Sequence, residues 1–511
     1  MTQELFPIRA KRKWLVMLYF ACDDRLPGRR SDEADLKAVV EQLHFHFIKQ
    51  GLFSNPHIHL VMCLDGLGDT QNPFTAFFSL GQDDETEKDV RDEITRFIVP
   101  EAFDNINTPE LRDGRFKLDT GSGAVLSRFI DFACDKHPAE HRMLSIISHG
   151  GGWSPNFGGP VQPGGHPDTQ PGAGGLRGMP IDFNTGSSLS TRELTEALKD
   201  GLSGLDRSFQ KLDVLFFDAC LMGMIECAYA VRDQAAFLIA GENLLWAELP
   251  YKKYLDPKKL NDTTLPAQLV EHIVTSYDVG LDIGPFTIAG LNLSRVGDLT
   301  EKVGRLAKAL LKSIRGGANS DDNRTKIREA YRQAQMFDNN GDGFISHIEA
   351  CVDLLDFAEK LKRTLPQVGA EAEAVISLIG RRPGSSSEQV VVAKADKPGK
   401  GPAQPSGERQ HWDFKRAHGV SIYLPLGDEN LFFELMLKPT SDATPERRIN
   451  KLQASYYLDG DQLTFTAECP EWVQFISVML EVGTDSNELS SRKKGAFRTP
   501  ALLTRHSKPH A

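Results

Sequence analysis

Seven short, unbroken apolar runs constrain this chain more than anything else in it: Trp14 to Phe20, Ile58 to Leu64, Met143 to Ser148, Val214 to Phe217, Phe237 to Ala240, Phe286 to Leu291 and Val420 to Leu424. A strand that is apolar on both faces has to be covered on both faces, which is the situation of a buried parallel sheet. Helical patterns lie between the runs. Val125 to Lys136 carries apolar residues at Val125, Phe129, Ile130 and Ala133, and the segment Ser190 to Leu198 opens with a capping box, Ser190 and Glu193. Strands alternating with helices predict an α/β fold with a mostly parallel central sheet.

Two segments break the alternation. Ser154 to Pro180 is rich in Gly and Pro without apolar periodicity and reads as a long surface loop; Arg382 to Gln410 reads as a disordered linker. With 511 residues the chain is long for one compact core. The expected division is a core over 1–300, a helical region over 301–381, the linker over 382–410, and a C-terminal region over 411–511. That last region returns a strand at 418–425 and ends in a frayed tail.

Charge and cysteine content limit the partners. A net charge of -11 without a long basic run speaks against nucleic acid. No stretch approaches the ~20 apolar residues that span a bilayer, and the first residues lack the small-residue cleavage site of a secretion signal. The seven cysteines are scattered without CxxC spacing, which fits a reducing cytoplasm better than a disulfide or zinc framework.

Two of the apolar runs end in chemistry. Leu144 to Trp153 reads LSIISHGGGW, a buried strand ending in His149 and three glycines; Lys211 to Met224 reads KLDVLFFDACLMGM, a strand ending at Asp218, Ala219 and Cys220. In open α/β sheets ligands bind beyond the carboxyl ends of strands, and two adjacent ends can bring His149 and Cys220 into one crevice. The imidazole would then help form the thiolate and later protonate a leaving amine. A helical stretch after Cys220 would favour the thiolate through its N-terminus. The backbone N–H groups of Gly150 and Cys220 are candidate oxyanion donors. Each signal also has an ordinary structural reading, a satisfied histidine or a buried cysteine.

A second motif is independent of the first. Asp338 to Glu349, DNNGDGFISHIE, fits the EF-hand loop at every specified position. Asp338, Asn340 and Asp342 would supply side-chain oxygens, Phe344 its carbonyl, Ser346 a direct or water-mediated contact, and Glu349 both carboxylate oxygens to Ca2+. Lys326 to Phe337 and Ile348 to Leu361 are the expected flanking helices. A solvated acidic turn is the alternative.

The strings His-Gly-Gly-Gly-Trp and Asp-Ala-Cys-Leu-Met-Gly, with WLVMLYFACDDRL, IHLVMCLD, FTIAGLNLS, DLLDFA and HGVSIYLP, resemble the clostripain-like cysteine peptidases, a caspase-related family. The resemblance implies a caspase-like three-layer α/β/α core, with His149 as catalytic histidine and Cys220 as nucleophile. It implies an endopeptidase that takes protein or peptide substrates and cuts after Arg, less readily after Lys. Asp218 would lie in the P1 pocket, where a carboxylate selects a guanidinium by a bidentate pair; capping of the turn is its alternative role. The family's internal processing points to the loop 154–180 and its basic residue Arg177, cut by the chain itself or by an activating protease. A calcium-binding pseudopeptidase scaffold and a cysteine hydrolase of non-peptide amides are the competing functions.

Overall fold

The computed structural model of the chain describes residues 10–21, 55–67, 74–80, 110–111, 115–153, 178–182, 185, 187–206, 210–246, 250–277, 284–337, 350–384, 388–403, 409–426, 457 and 463–480. Among them an eight-stranded sheet is the spine. Its strands are β1 (Arg12–Ala21), β2 (Ile58–Leu67), β3 (Phe74–Leu80), β4 (Ala139–Ser148), β5 (Leu212–Asp218), β6 (Ala235–Ala240), β7 (Phe286–Asn292) and β8 (Val391–Lys397). They lie in the order β8-β7-β6-β5-β4-β1-β2-β3. The middle strands β6, β5, β4, β1 and β2 run parallel. β3 joins one edge antiparallel, and β7 and β8 the other.

The alternation along β1 shows why the apolar runs are continuous. Trp14, Val16, Leu18 and Phe20 enter one core while Leu15, Met17 and Tyr19 enter the other. All seven are fully buried, and each such side chain contributes about 1.5–3 kcal/mol by leaving water. Among the described residues, nine helices of 7 to 19 residues cover the faces: α1 (Gly123–Lys136), α2 (Thr191–Leu202), α3 (Ile225–Val231), α4 (Pro266–Ser276), α5 (Val296–Ile314), α6 (Ser320–Gln333), α7 (Leu354–Thr364), α8 (Gly369–Ile379) and α9 (Pro470–Met479). Helix α4 packs Leu269, Val270, Ile273 and Val274 into the Trp14 side, and the other helices pack on the Leu15 side. The result is the expected three-layer α/β/α arrangement. The capping box at α2 forms as read: Ser190 Oγ accepts from Glu193 N–H at 3.2 Å and Glu193 Oε2 accepts from Ser190 N–H at 2.9 Å. Among the described residues no helix is long and apolar enough to cross a membrane.

Three expectations need correction. The stretch 382–410 is not a disordered linker throughout, because it contains β8 and a hairpin of Gly399–Ala403 with Arg409–Trp412. Its abundance of Gly, Pro, Ser and Lys masks the short run at Val390 to Ala393. An antiparallel edge strand needs few buried positions: Val391 and Ala393 are buried, whereas Lys394, Asp396 and Lys397 keep some exposure. Second, Ser421–Tyr423 joins no central strand. It pairs antiparallel with Cys351–Asp353, and Ser421 N–H donates to Gly223 O at 2.9 Å. Third, the helices expected to abut the calcium loop stop short of it. Helix α6 ends at Gln333, Met336 forms an antiparallel bridge with Val352, and α7 begins only at Leu354.

Candidate active site

Strands β4 and β5 are neighbours, and their register pairs Ile147 with Asp218. His149 and Cys220, each two residues further on, therefore leave adjacent strand tips at the same level. Gly150 brings the two turns into contact. A Cβ built on it would lie 2.3 Å from Cys220 O, 3.0 Å from Ala219 Cβ and 3.2 Å from Cys220 N. Only a glycine lets the backbone after the histidine rest directly on the backbone of the cysteine. Gly152 has a φ of 70°, and its Cβ would stand 2.8 Å from Met224 Sδ, so the glycine run follows the Cys220 turn closely.

The histidine side is braced from behind. The Ser148 hydroxyl lies 2.9 Å from Ala21 O and 3.2 Å from Ile181 O, and accepts from Ile181 N–H at 3.0 Å. Gly151 N–H donates to Gly178 O at 3.1 Å. Trp153 is buried edge-on against Tyr423 and Tyr457, with ring centroids 4.9 and 4.8 Å away. It is therefore an anchor of the glycine turn. Both tyrosines converge on Glu226 Oε1, Tyr423 through its N–H at 3.0 Å and Tyr457 through its hydroxyl at 2.8 Å. Burial pushes the Glu226 carboxyl up to about 7.

The cysteine side is a strained turn. Leu221, directly after Cys220, has a φ of 63°, a conformation that costs a side-chain-bearing residue about 1 kcal/mol or more. The segment after β6 holds this turn in place. Gly223 N–H donates to Gly241 O at 2.7 Å and Leu221 N–H to Asn243 O at 3.2 Å. The Cys220 thiol donates to Leu245 O at 3.7 Å. Cys220 is half-buried, and burial pushes its thiol up to about 11. The expected thiolate-favouring helix terminus is not there: α3 starts at Ile225, beyond the turn, and is only seven residues long.

Asp218 does not cap the turn. Its carboxyl is 4% exposed and accepts from the Tyr251 hydroxyl at 2.9 Å; Tyr251 in turn pairs with the Ser145 hydroxyl. Burial pushes Asp218 up to about 7, with the Tyr251 bond acting the other way. Cys227 is buried core, as expected. His141 and His418 are satisfied by Asp213 at 2.9 Å and Asp353 at 3.0 Å. Trp246 donates through Nε1 to Pro285 O at 2.8 Å. Arg177 and the calcium set Asp338, Asn340, Asp342, Phe344, Ser346 and Glu349 lie outside the described residues. Sequence reasoning missed the clamp formed by Gly241, Asn243 and Leu245. Its one sequence signal is the Gly-Glu-Asn string that ends the run Phe237 to Ala240.

A doubly covered, mostly parallel sheet with a cysteine and a histidine on adjacent tips defines a caspase-like cysteine hydrolase. The sequence profile of the clostripain family, the C11 peptidases, matches residues 92–476, and the chain belongs to that family. It is accordingly a cysteine peptidase, acting on proteins or peptides. Two solved structures share the fold. A secreted C11 cysteine protease from Bacteroides thetaiotaomicron, in complex with an irreversible peptide inhibitor, superposes with a TM-score of 0.50 at 14% identity, covering 90% of this chain and 99% of the other. An inactive zymogen of a C11 protease from Parabacteroides distasonis gives 0.52 at 17% identity, with the same coverage. No curated protein matches the sequence.

Proposed function

We propose that the chain is an endopeptidase cutting after Arg, less readily after Lys, with Cys220 as nucleophile and His149 as its proton carrier. The observation that carries this reading is the β4–β5 register, which brings the carboxyl ends of the strands leading to both residues side by side, with Gly150 pressed onto the cysteine backbone. His149 would take the thiol proton and return it to the leaving amine. The N–H groups of Gly150 and Cys220, brought together by the same contact, would receive the oxyanion. Asp218, behind the nucleophile and hydrogen-bonded to the Tyr251 hydroxyl, would receive the P1 guanidinium.

The chain described here is latent in this reading. Burial pushes the thiol up, and it donates to Leu245 O. Asn243, beside it, is fully buried, and among the described residues neither end of its side-chain amide is hydrogen-bonded. Such a group costs about 1–3 kcal/mol, which a bound peptide would relieve once the clamp shifts. Release would come from Ca2+ at Asp338–Glu349, from cleavage after Arg177 by the chain itself or another protease, or from both. A cytoplasmic location would make such latency necessary. The test is a fluorogenic Arg peptide, with and without calcium, on wild type and Cys220→Ala. Turnover that survives Cys220→Ala, or that is indifferent to Arg against Asp at P1, would overturn the assignment.

A further inference from the structure

The tips of three strands stand in one row beside the His149 turn. Ala21 of β1 pairs with Ser148 of β4, and Phe20 pairs with Leu64, the residue before Asp65 on β2. Residues 178–182 run across that row as a strap. At one end of the row, Gly151 N–H donates to Gly178 O at 3.1 Å and Ile181 N–H to Ser148 Oγ at 3.0 Å. The strap therefore holds the backbone on both sides of His149. It then folds back as a short hairpin, with Ile181 paired to Ser188 and Met179 N–H donating to Leu189 O at 3.0 Å, and leads into α2.

At the other end of the row the strap is fastened by charge. Asp182 is fully buried. Its Oδ2 accepts from Thr120 N–H at 3.1 Å and from Lys117 Nζ at 3.4 Å, and its Oδ1 from Thr185 N–H at 3.1 Å. Lys117 also meets both oxygens of the buried Asp65 at 2.7 Å. The Thr120 hydroxyl lies between the two acids, 2.9 Å from Asp65 Oδ2 and 3.3 Å from Asp182 Oδ2, and Thr120 O accepts from the Tyr19 hydroxyl of β1 at 2.9 Å. Outside this group, Asp119 accepts from the Thr185 hydroxyl at 2.9 Å and from the Ser187 hydroxyl. Burial is the largest influence on Asp182 and, with the Asp65 charge, pushes it up to about 6, while Lys117 acts the other way.

We propose that Asp182 is a positioning residue for His149, fastening the strap 178–182 to Lys117 and Thr120 so that the strap holds the His149 turn through Ser148 and Gly151. The role rests on His149 being the proton carrier. Asp182 is not placed to read substrate, because both of its oxygens are engaged by main-chain and lysine donors inside the protein. The brace also explains why two acids surround one lysine at this point. Asp65 alone neutralises Lys117, and Asp182 adds the one connection that reaches the strap. Losing it leaves buried donors without an acceptor and frees the strap from the β2 tip.

The experiment uses the full chain with calcium at about pH 8, where Asp182 is ionised. It reads hydrogen exchange by mass spectrometry, and kcat and KM on an Arg peptide. Asp182→Ala should speed exchange in the peptide spanning the His149 turn by about tenfold or more and leave the peptide of α5 unchanged. It should lower kcat by about tenfold or more with KM within about twofold, since small displacements of a catalytic group are costly. Asp182→Asn, whose carbonyl can still accept from Thr120 but whose amide cannot accept from Thr185, should fall between wild type and alanine in both readouts. Ser148→Ala cuts the opposite end of the strap. The double variant Ser148→Ala/Asp182→Ala should lose little beyond the worse single variant, because both act through one strap. Losses that multiply in the double variant, or exchange at the His149 turn unmoved by Asp182→Ala, overturn the proposal. If the alanine variant does not fold, Asp182→Asn carries the same comparison with Ser148→Ala. Failure of the His149 assignment shows separately, as turnover retained in His149→Ala while exchange at the turn still responds to Asp182.

Discussion

Replacing Asp218 by Asn tests whether the buried acid behind the nucleophile reads the substrate. Burial moves this carboxyl from 3.8 to about 7, so ionising it inside the protein costs about 4 kcal/mol more than in water. In the proposed pocket, a P1 guanidinium would supply the counter-charge. Breaking a buried pair by removing one partner costs about 3–5 kcal/mol, so Asp218→Asn should lower kcat/KM for Arg peptides by about two to three orders of magnitude. A peptide with a neutral isostere at P1 should lose little. In wild type, kcat/KM for Arg should rise with pH as Asp218 ionises and bend near 7; in the variant that bend disappears.

The same displacement has a stability consequence of definite sign. The folded state holds the Asp218 proton more tightly than the unfolded state does, so its contribution is intact below about pH 4 and is lost as pH rises toward 7. Asp218→Asn should therefore raise Tm relative to wild type at pH 8, with the effect shrinking as pH falls and smallest below about pH 4, measured by calorimetry. An Arg-to-neutral ratio unmoved by the substitution, or a bend in kcat/KM that persists in Asp218→Asn, would refute the reasoning even if the variant were slower overall.

Three further outcomes follow from the geometry. Gly150→Ala drives a methyl to within 2.3 Å of Cys220 O and should lower kcat by about two orders of magnitude through displacement of the turn, read by steady-state kinetics alongside a Tm that changes little. Iodoacetamide should label Cys220 slowly in the uncleaved chain at pH 7, the rate rising about tenfold per pH unit while the thiol remains mostly protonated; rapid, pH-independent labelling would show a thiolate already formed. If the Asp338–Glu349 motif binds calcium as proposed, Glu349→Gln would remove its bidentate ligand and should weaken binding of terbium, a luminescent calcium substitute, by at least about tenfold, and an unchanged luminescence titration would exclude the loop as a calcium site.

The capping of α2 was legible because Ser190 and Glu193 act within one turn of chain, and the covered sheet was legible because residues such as Trp14 and Leu15 must both be buried. The short run at Val390 to Ala393 was not, since an edge strand buried at only a few positions leaves too little apolar signal inside a polar stretch. The shortened helices beside the calcium motif were missed for a related reason: helical periodicity does not report that Met336 will find a β-bridge with Val352. Local sequence thus marked His149 and Cys220 as chemistry at strand ends. Which ends are neighbours, that the Cys220 thiol lies against Leu245 O, and that Glu242 meets Gly419 were decided by the tertiary fold. Apolar periodicity records how deeply a residue is buried but not what it is buried against, and both hydrogen bonding and acidity depend on the partner.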